Sequence, residues 1–112
     1  GGGGSSGAAP NGGGNPSSAG PGTSNSIAGS SVTYAAGGSA GNNQPGAAGG
    51  ANTGDGAQGS GQAYAGNTGG SGVVILKVLT SDYTGTVTGS PTVTTDGSHK
   101  IVKFTGDGSY TA

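Results

Sequence analysis

The sequence predicts an all-β protein without helix: short antiparallel strands in its C-terminal part, preceded by a glycine-rich region of extended, polyglycine-II-like or irregular backbone. Three observations carry this expectation. Of the 30 glycines, 24 lie in residues 1–71 and 6 in residues 72–112. The C-terminal part holds short β-branched runs separated by turn dipeptides at nearly regular intervals. Nowhere do apolar residues recur at the 3.6 spacing of an amphipathic helix. The two compositions meet at Gly72/Val73, so the expected organisation is a glycine-rich region, 1–71, and a small antiparallel β unit, 72–112.

Within 1–71, glycine clusters at Gly1-Gly4, Gly12-Gly14, Gly37-Gly38, Gly49-Gly50 and Gly69-Gly70 are separated by Asn, Pro and Ser. A collagen register is broken by runs such as Pro16-Ser17-Ser18-Ala19, since that triple helix needs glycine at every third position. Helix is disfavoured because Gly and Pro are the two poorest helix formers. Side-chain burial cannot offset the ordering of such a chain, at about 1–2 kcal/mol per residue. Two states remain: a disordered tether, or backbones packed closely where no Cβ keeps them apart. One island, Ser26 to Ala35, interrupts the low complexity. Its Ile27, Val32, Thr33 and Tyr34 suit a short strand or hairpin turning near Gly29 and Ser30.

From Val73 onward five strands are expected. Val73 to Thr80 is nearly continuous in apolar character and reads as a strand covered on both faces. Thr86-Val87-Thr88 and Thr92-Val93-Thr94 flank the turn Gly89-Ser90-Pro91, whose proline cannot donate to a ladder. Asp96-Gly97 reads as a hairpin turn leading into His99 to Thr105, and Gly106-Asp107-Gly108 as the last reversal before Ser109 to Thr111. So small a unit has little apolar surface to bury. It is expected to dock on the glycine-rich part, the two halves folding as one, or to self-associate.

The net charge is −1, and in the C-terminal part Lys77, Lys100 and Lys103 balance Asp82, Asp96 and Asp107. Nothing here suits nucleic acid or an anionic membrane surface. The apolar run Val73 to Leu79 is far shorter than the ~20 residues of a membrane-spanning helix. With no cysteine there is no disulfide or thiolate metal site. The chain opens at Gly1 with no charged-then-apolar leader, and it reads as a piece of a longer protein.

Candidate chemistry is sparse. His99, the only histidine, has no nucleophile or orienting carboxylate at a recognisable spacing and reads as a strand residue near a turn. Asp55, Asp82, Asp96 and Asp107 are too scattered for a calcium loop, and each is expected to bond its own backbone in a turn. No phosphate-loop lysine follows a glycine. The expectation is therefore no catalytic residue, no metal site and no cofactor. The pairs Thr86/Thr88 and Thr92/Thr94 each place two hydroxyls on one strand face, a weak signal for ice binding. Tyr34, Tyr64, Tyr83 and Tyr110 are the side chains best suited to a recognition surface, each offering a flat apolar face and a hydroxyl.

Three stretches resemble the glycine-rich domains at the ends of bacteriophage tail-fibre and related virion proteins: Gly20-Pro21-Gly22-Thr23 through Ser30-Ser31-Val32-Thr33-Tyr34-Ala35, Ala51-Asn52-Thr53-Gly54, and Gly69-Gly70-Ser71-Gly72-Val73-Val74-Ile75-Leu76-Lys77. The tail, Gly89 to Gly97 followed by Lys100-Ile101-Val102-Lys103-Phe104-Thr105-Gly106, is similar to that family's C-terminal hairpin. In the family the strand pattern ends in a basic residue followed by Tyr-Pro, where this chain has Lys77-Val78-Leu79. The resemblance implies a non-enzymatic structural component of a phage particle, a distal tail or capsid fibre, homotrimeric, joined to other virion proteins and touching a bacterial surface receptor. A secreted or cell-surface filament or matrix protein is the alternative, with an ice-binding protein a more distant one. A polysaccharide-cleaving enzyme would need paired carboxylates that the sequence does not supply.

Overall fold

The computed structural model describes residues 2–10, 17–41 and 43–112. The Gly12-Gly14 cluster and Pro16 lie outside them. The described residues form seven strands in chain order: β1 (Thr23–Asn25), β2 (Val32–Tyr34), β3 (Val74–Leu79), β4 (Val87–Thr88), β5 (Thr92–Asp96), β6 (His99–Phe104) and β7 (Ser109–Tyr110). Among the described residues there is no helix. The fold is all-β, and the five strands after Gly72 fall where the turn spacing predicts them. The chain divides into two compact units, Gly1–Ser24 with Thr33–Gly72, and Asn25–Val32 with Val73–Ala112.

The first unit is ordered by backbone hydrogen bonds that repeat every third residue. The amides of Gly56 and Gly59 donate to the carbonyls of Ala36 and Ser39, while those of Gln58 and Gly61 donate to Ala47 and Gln44. The same step links Gly2 and Ser5 to Gly38 and Ala35, and Gly37 and Ala40 to Gly20 and Ser17. A left-handed extended helix has three residues per turn and no internal hydrogen bonds, so its amides point in turn to different neighbours and return to the same one every third residue. That geometry accounts for the repeat, and for one segment bonding two others on different sides.

Glycine is required here for closeness. A Cβ on Gly56 would stand 2.7 Å from the Gly38 nitrogen, and one on Gly61 2.5 Å from the Asn43 Cα. Gly20, which is buried, would carry its Cβ 2.6 Å from the Gly7 carbonyl oxygen. Side chains lock the register at intervals. Asp55 Oδ1 accepts from the Ala36 amide at 2.9 Å, Ser60 Oγ from Gly46 at 3.0 Å, and Ser71 Oγ from Asn52 at 2.9 Å.

The hairpin expected near residues 26–35 is β1–β2, but its first strand starts earlier, at Thr23, and Ile27 lies in the connection. There Asn25 Oδ1 accepts from the Ile27 amide at 2.8 Å, the short-range bond typical of Asn before a turn. The tip, Asn25–Val32, belongs to the second unit, where a Cβ on Gly29 would lie 3.6 Å from the Ile101 Cδ1.

The second unit is built on an antiparallel sheet ordered β3-β6-β5, with a two-stranded ladder of β4 and β7. Its core is Ile101, Val102 and Phe104, all on β6. Neighbouring residues on a strand face opposite ways, so burial of both Ile101 and Val102 makes β6 the strand covered on two faces. This corrects the expectation for Val73 to Thr80. β3 is an edge strand, with Val74 58% and Leu79 46% exposed. It gains one neighbour where β6 gains two, which is why its apolar run is not matched by burial.

Between β5 and β6 the turn is Gly97-Ser98, closed by the Asp96–His99 pair. Gly97 alone is in the left-handed region, with φ +57°, as a two-residue turn with glycine at its first central position requires. The strands flanking Gly89-Ser90-Pro91 do not pair with each other. β4 pairs with β7 and β5 with β6.

Candidate functional site

The structure brings two of the four candidate tyrosines together. Tyr83 and Tyr110 stack with ring centroids 5.9 Å apart and planes inclined by 1°. β7 presents Tyr110 through its ladder with β4, where Tyr110 lies opposite Val87. The stack is held from both ends. Tyr110 Oη donates to the Asp82 carbonyl at 3.3 Å, and Thr84 Oγ1 donates to the Thr111 carbonyl at 2.5 Å. Beside it, Thr88 Oγ1 and Ser109 Oγ are 2.8 Å apart.

Against Tyr110 lies an open groove of about 440 Å³, lined by Val74, Leu76, Phe104 and the segment Gly106 to Tyr110. Val74 and Leu76 pair with Phe104 and Val102, so these four share one face of the sheet. The rim carries Asp107 and Ser109. A cavity of this kind, with an apolar floor, an aromatic wall and a few polar groups at its edge, suits a small ligand or a protruding side chain. Gly108 permits the close floor, since a Cβ there would stand 2.7 Å from the Phe104 ring.

Tyr34 and Tyr64 belong to the first unit. Tyr64 follows a turn closed by its own amide on the Gly61 carbonyl, and it is 44% exposed. Tyr34 is half-buried in β2, and its carbonyl accepts from Ser5 Oγ at 3.2 Å. A separate cleft of about 290 Å³ in this unit is lined mainly by Ala and Gly, with Ser39, Asp55 and Gln58 as its polar side chains.

No protein-family model, curated protein or solved structure matches the chain.

On the opposite face of the β3-β6-β5 sheet, Lys77 reaches across Ile101 to Asp96, Nζ to Oδ2 at 2.6 Å. The hydrogen bond and charge of Lys77 hold the Asp96 carboxyl below its ordinary 3.8, with a smaller contribution from His99. His99 itself opens β6, its Nδ1 3.2 Å from Ser98 Oγ. Three of the four aspartates depart from the expectation that each bonds its own backbone. Asp55 bonds the distant Ala36 amide, Asp96 pairs with Lys77, and Asp82 accepts from Ser81 Oγ. An exposed cation or amide in reach competes well with a local turn. Among the described residues no three His, Asp or Glu side chains gather as metal ligands would, and no helix is long and apolar enough to cross a membrane.

Sequence spacing did not reveal the Tyr83–Tyr110 stack. The two lie on either side of the β5–β6 hairpin, and the β4–β7 pairing that joins them skips over it. The Val74/Leu76/Phe104 floor was hidden likewise, because the β3–β6 pairing that forms it skips over β4 and β5.

Proposed function

We propose that this chain is a structural, non-enzymatic part of a phage virion, from the distal region of a tail or capsid fibre, and that its exposed aromatic surface contacts a bacterial receptor. The observation that carries the reading is the first unit: glycine-rich segments bonded side to side every third residue, with no buried hydrophobic side chain among its described residues. Such a construction suits a mechanical appendage that stands outside a cell, because its order rests on backbone hydrogen bonds and uses neither cysteine nor a large apolar interior. The resemblance to virion fibre domains points the same way, and it implies that copies associate as a homotrimer alongside other virion proteins. Tyr64 and the Tyr110 groove are the receptor-facing candidates, since one is exposed and the other borders an apolar cavity.

The test is adsorption. Purified chain should bind the surface of a susceptible bacterium and compete with phage attachment, and Tyr64→Ala or Tyr110→Ala should weaken that competition. A chain that neither binds nor competes removes the receptor role and leaves an architectural one. The bonded glycine-rich bundle also favours, as a second reading, an ice-binding protein, which a measurement of thermal hysteresis decides.

A further inference from the structure

Among the described residues the outer edge of β3 has no strand beside it, since β3 stands at one end of the order β3-β6-β5. The Thr80 amide donates to the Ser98 carbonyl, which continues the β3–β6 register by one pair. In an antiparallel ladder bonded and non-bonded pairs alternate. Val74, Leu76 and Val78 therefore bond to β6, and the amides and carbonyls of Ile75 and Lys77 point away from the sheet. Neither proline nor a bulge interrupts this edge. Natural edges are commonly blunted by a lysine, but here Lys77 is drawn over the sheet face to Asp96 at 2.6 Å. The result is an open, neutral, apolar edge.

We infer that β3 pairs antiparallel with β3 of a second copy about a two-fold axis at Leu76. From the reading above this takes only the association of copies, and it adds a contact of different symmetry. The sequence of the strand is complementary to itself in this register. Leu76 meets Leu76 of the other copy, Val74 meets Val78, and Val73 meets Leu79. Both large side chains that β3 leaves exposed, Val74 and Leu79, thus acquire apolar partners. Lys77 falls opposite Ile75, each lysine keeping its own Asp96. A shift that centres the axis on Lys77 sets two ammonium groups directly opposite, which is unfavourable, and one that centres it on Ile75 leaves Leu79 facing Ser71. The pairing forms hydrogen bonds between Ile75 and Lys77 in both directions and joins two three-stranded sheets into one of six.

Sedimentation equilibrium and hydrogen exchange on the full chain test this. The expected mass is an even multiple of the 10.1 kDa chain, a dimer, or a hexamer if three-fold association also holds. The Ile75 and Lys77 amides should become protected as concentration rises. Ile75→Pro removes an outward amide that the β3–β6 ladder does not use, and it should halve the mass. Val74→Lys, which alters a mostly exposed side chain, should do the same, with the Leu76 and Val78 amides protected as before. A trimer whose mass ignores both substitutions overturns the β3 contact and leaves the fibre reading standing. A dimer that Ile75→Pro splits upholds the contact without the trimer. A monomer at all concentrations removes both.

Discussion

At the scale of single residues, the glycines divide into those the fold needs and those it does not. A Cβ on Gly38 would meet the Ala57 carbonyl, whereas one on Gly66 would meet nothing within 4 Å. Gly66 is also outside the left-handed region. Gly38→Ala should therefore lower stability by about 1–3 kcal/mol through overpacking, and Gly66→Ala should raise it by about 0.4–1 kcal/mol by restricting the unfolded chain. Chemical denaturation of the two variants checks both signs. Asp96 offers a second prediction. Its folded carboxyl is more acidic than the ordinary 3.8 because Lys77 favours the charged form. The stabilisation is present above the unfolded value and is lost as pH falls through the lower folded one. The difference in melting temperature between the parent and Asp96→Asn should be level near neutrality, shrink once pH drops below 3.8, and shrink also in high salt.

At the scale of elements, β6 is the strand that the second unit cannot lose. Val102 is fully buried, so Val102→Ala should cost about 2 kcal/mol, while Val74→Ala on the exposed edge should stay within about 0.5 kcal/mol. Matched urea titrations separate the two. This contrast also shows what the sequence made legible. Turn residues located the strands well, since Gly97 and the Gly106-Asp107-Gly108 reversal act locally. Within the second unit, pairing was legible only across the tight Asp96–His99 turn. Which strand lies in the middle depends on neighbours far along the chain, so the apolar run of β3 pointed to burial that β6, bracketed by Lys100 and Lys103, actually has. The Tyr83–Tyr110 stack was illegible for the same cause: β4 and β7 meet across the whole β5–β6 hairpin. In the glycine-rich unit composition allowed close backbone packing without saying which segments would meet. The three-residue repeat of its bonds makes a prediction of its own. Gly56, Gln58, Gly59 and Gly61 donate backbone bonds and Ala57 and Ser60 do not, so exchange along 56–61 should be fast at Ala57 and Ser60 and slow at their neighbours.

At the scale of the whole molecule, cohesion comes more from peptide groups than from apolar side chains, with Ile101, Val102 and Phe104 as the buried core among the described residues. Heat-capacity change on unfolding follows apolar exposure and is reduced by polar exposure. An ordinary domain of this length would show about 1.5 kcal/mol/K. This chain should fall clearly below that value, with a correspondingly flat dependence of stability on temperature, as differential scanning calorimetry can measure. A bundle bonded at every third residue has one more property. Sliding a segment along its neighbours by three residues restores the backbone bonds, so peptide groups alone define a ruler with equivalent marks. The choice among those marks falls to the side chains that reach into the lattice, among them Asp55 on Ala36, Gln58 on Ala47, Ser60 and Asn67 on Gly46, Ser71 on Asn52, and Ser6 on Pro21. Length can thus change in steps of three in the segments between these pins while the bundle keeps its lattice, whereas a change of one or two residues puts every later bond out of phase.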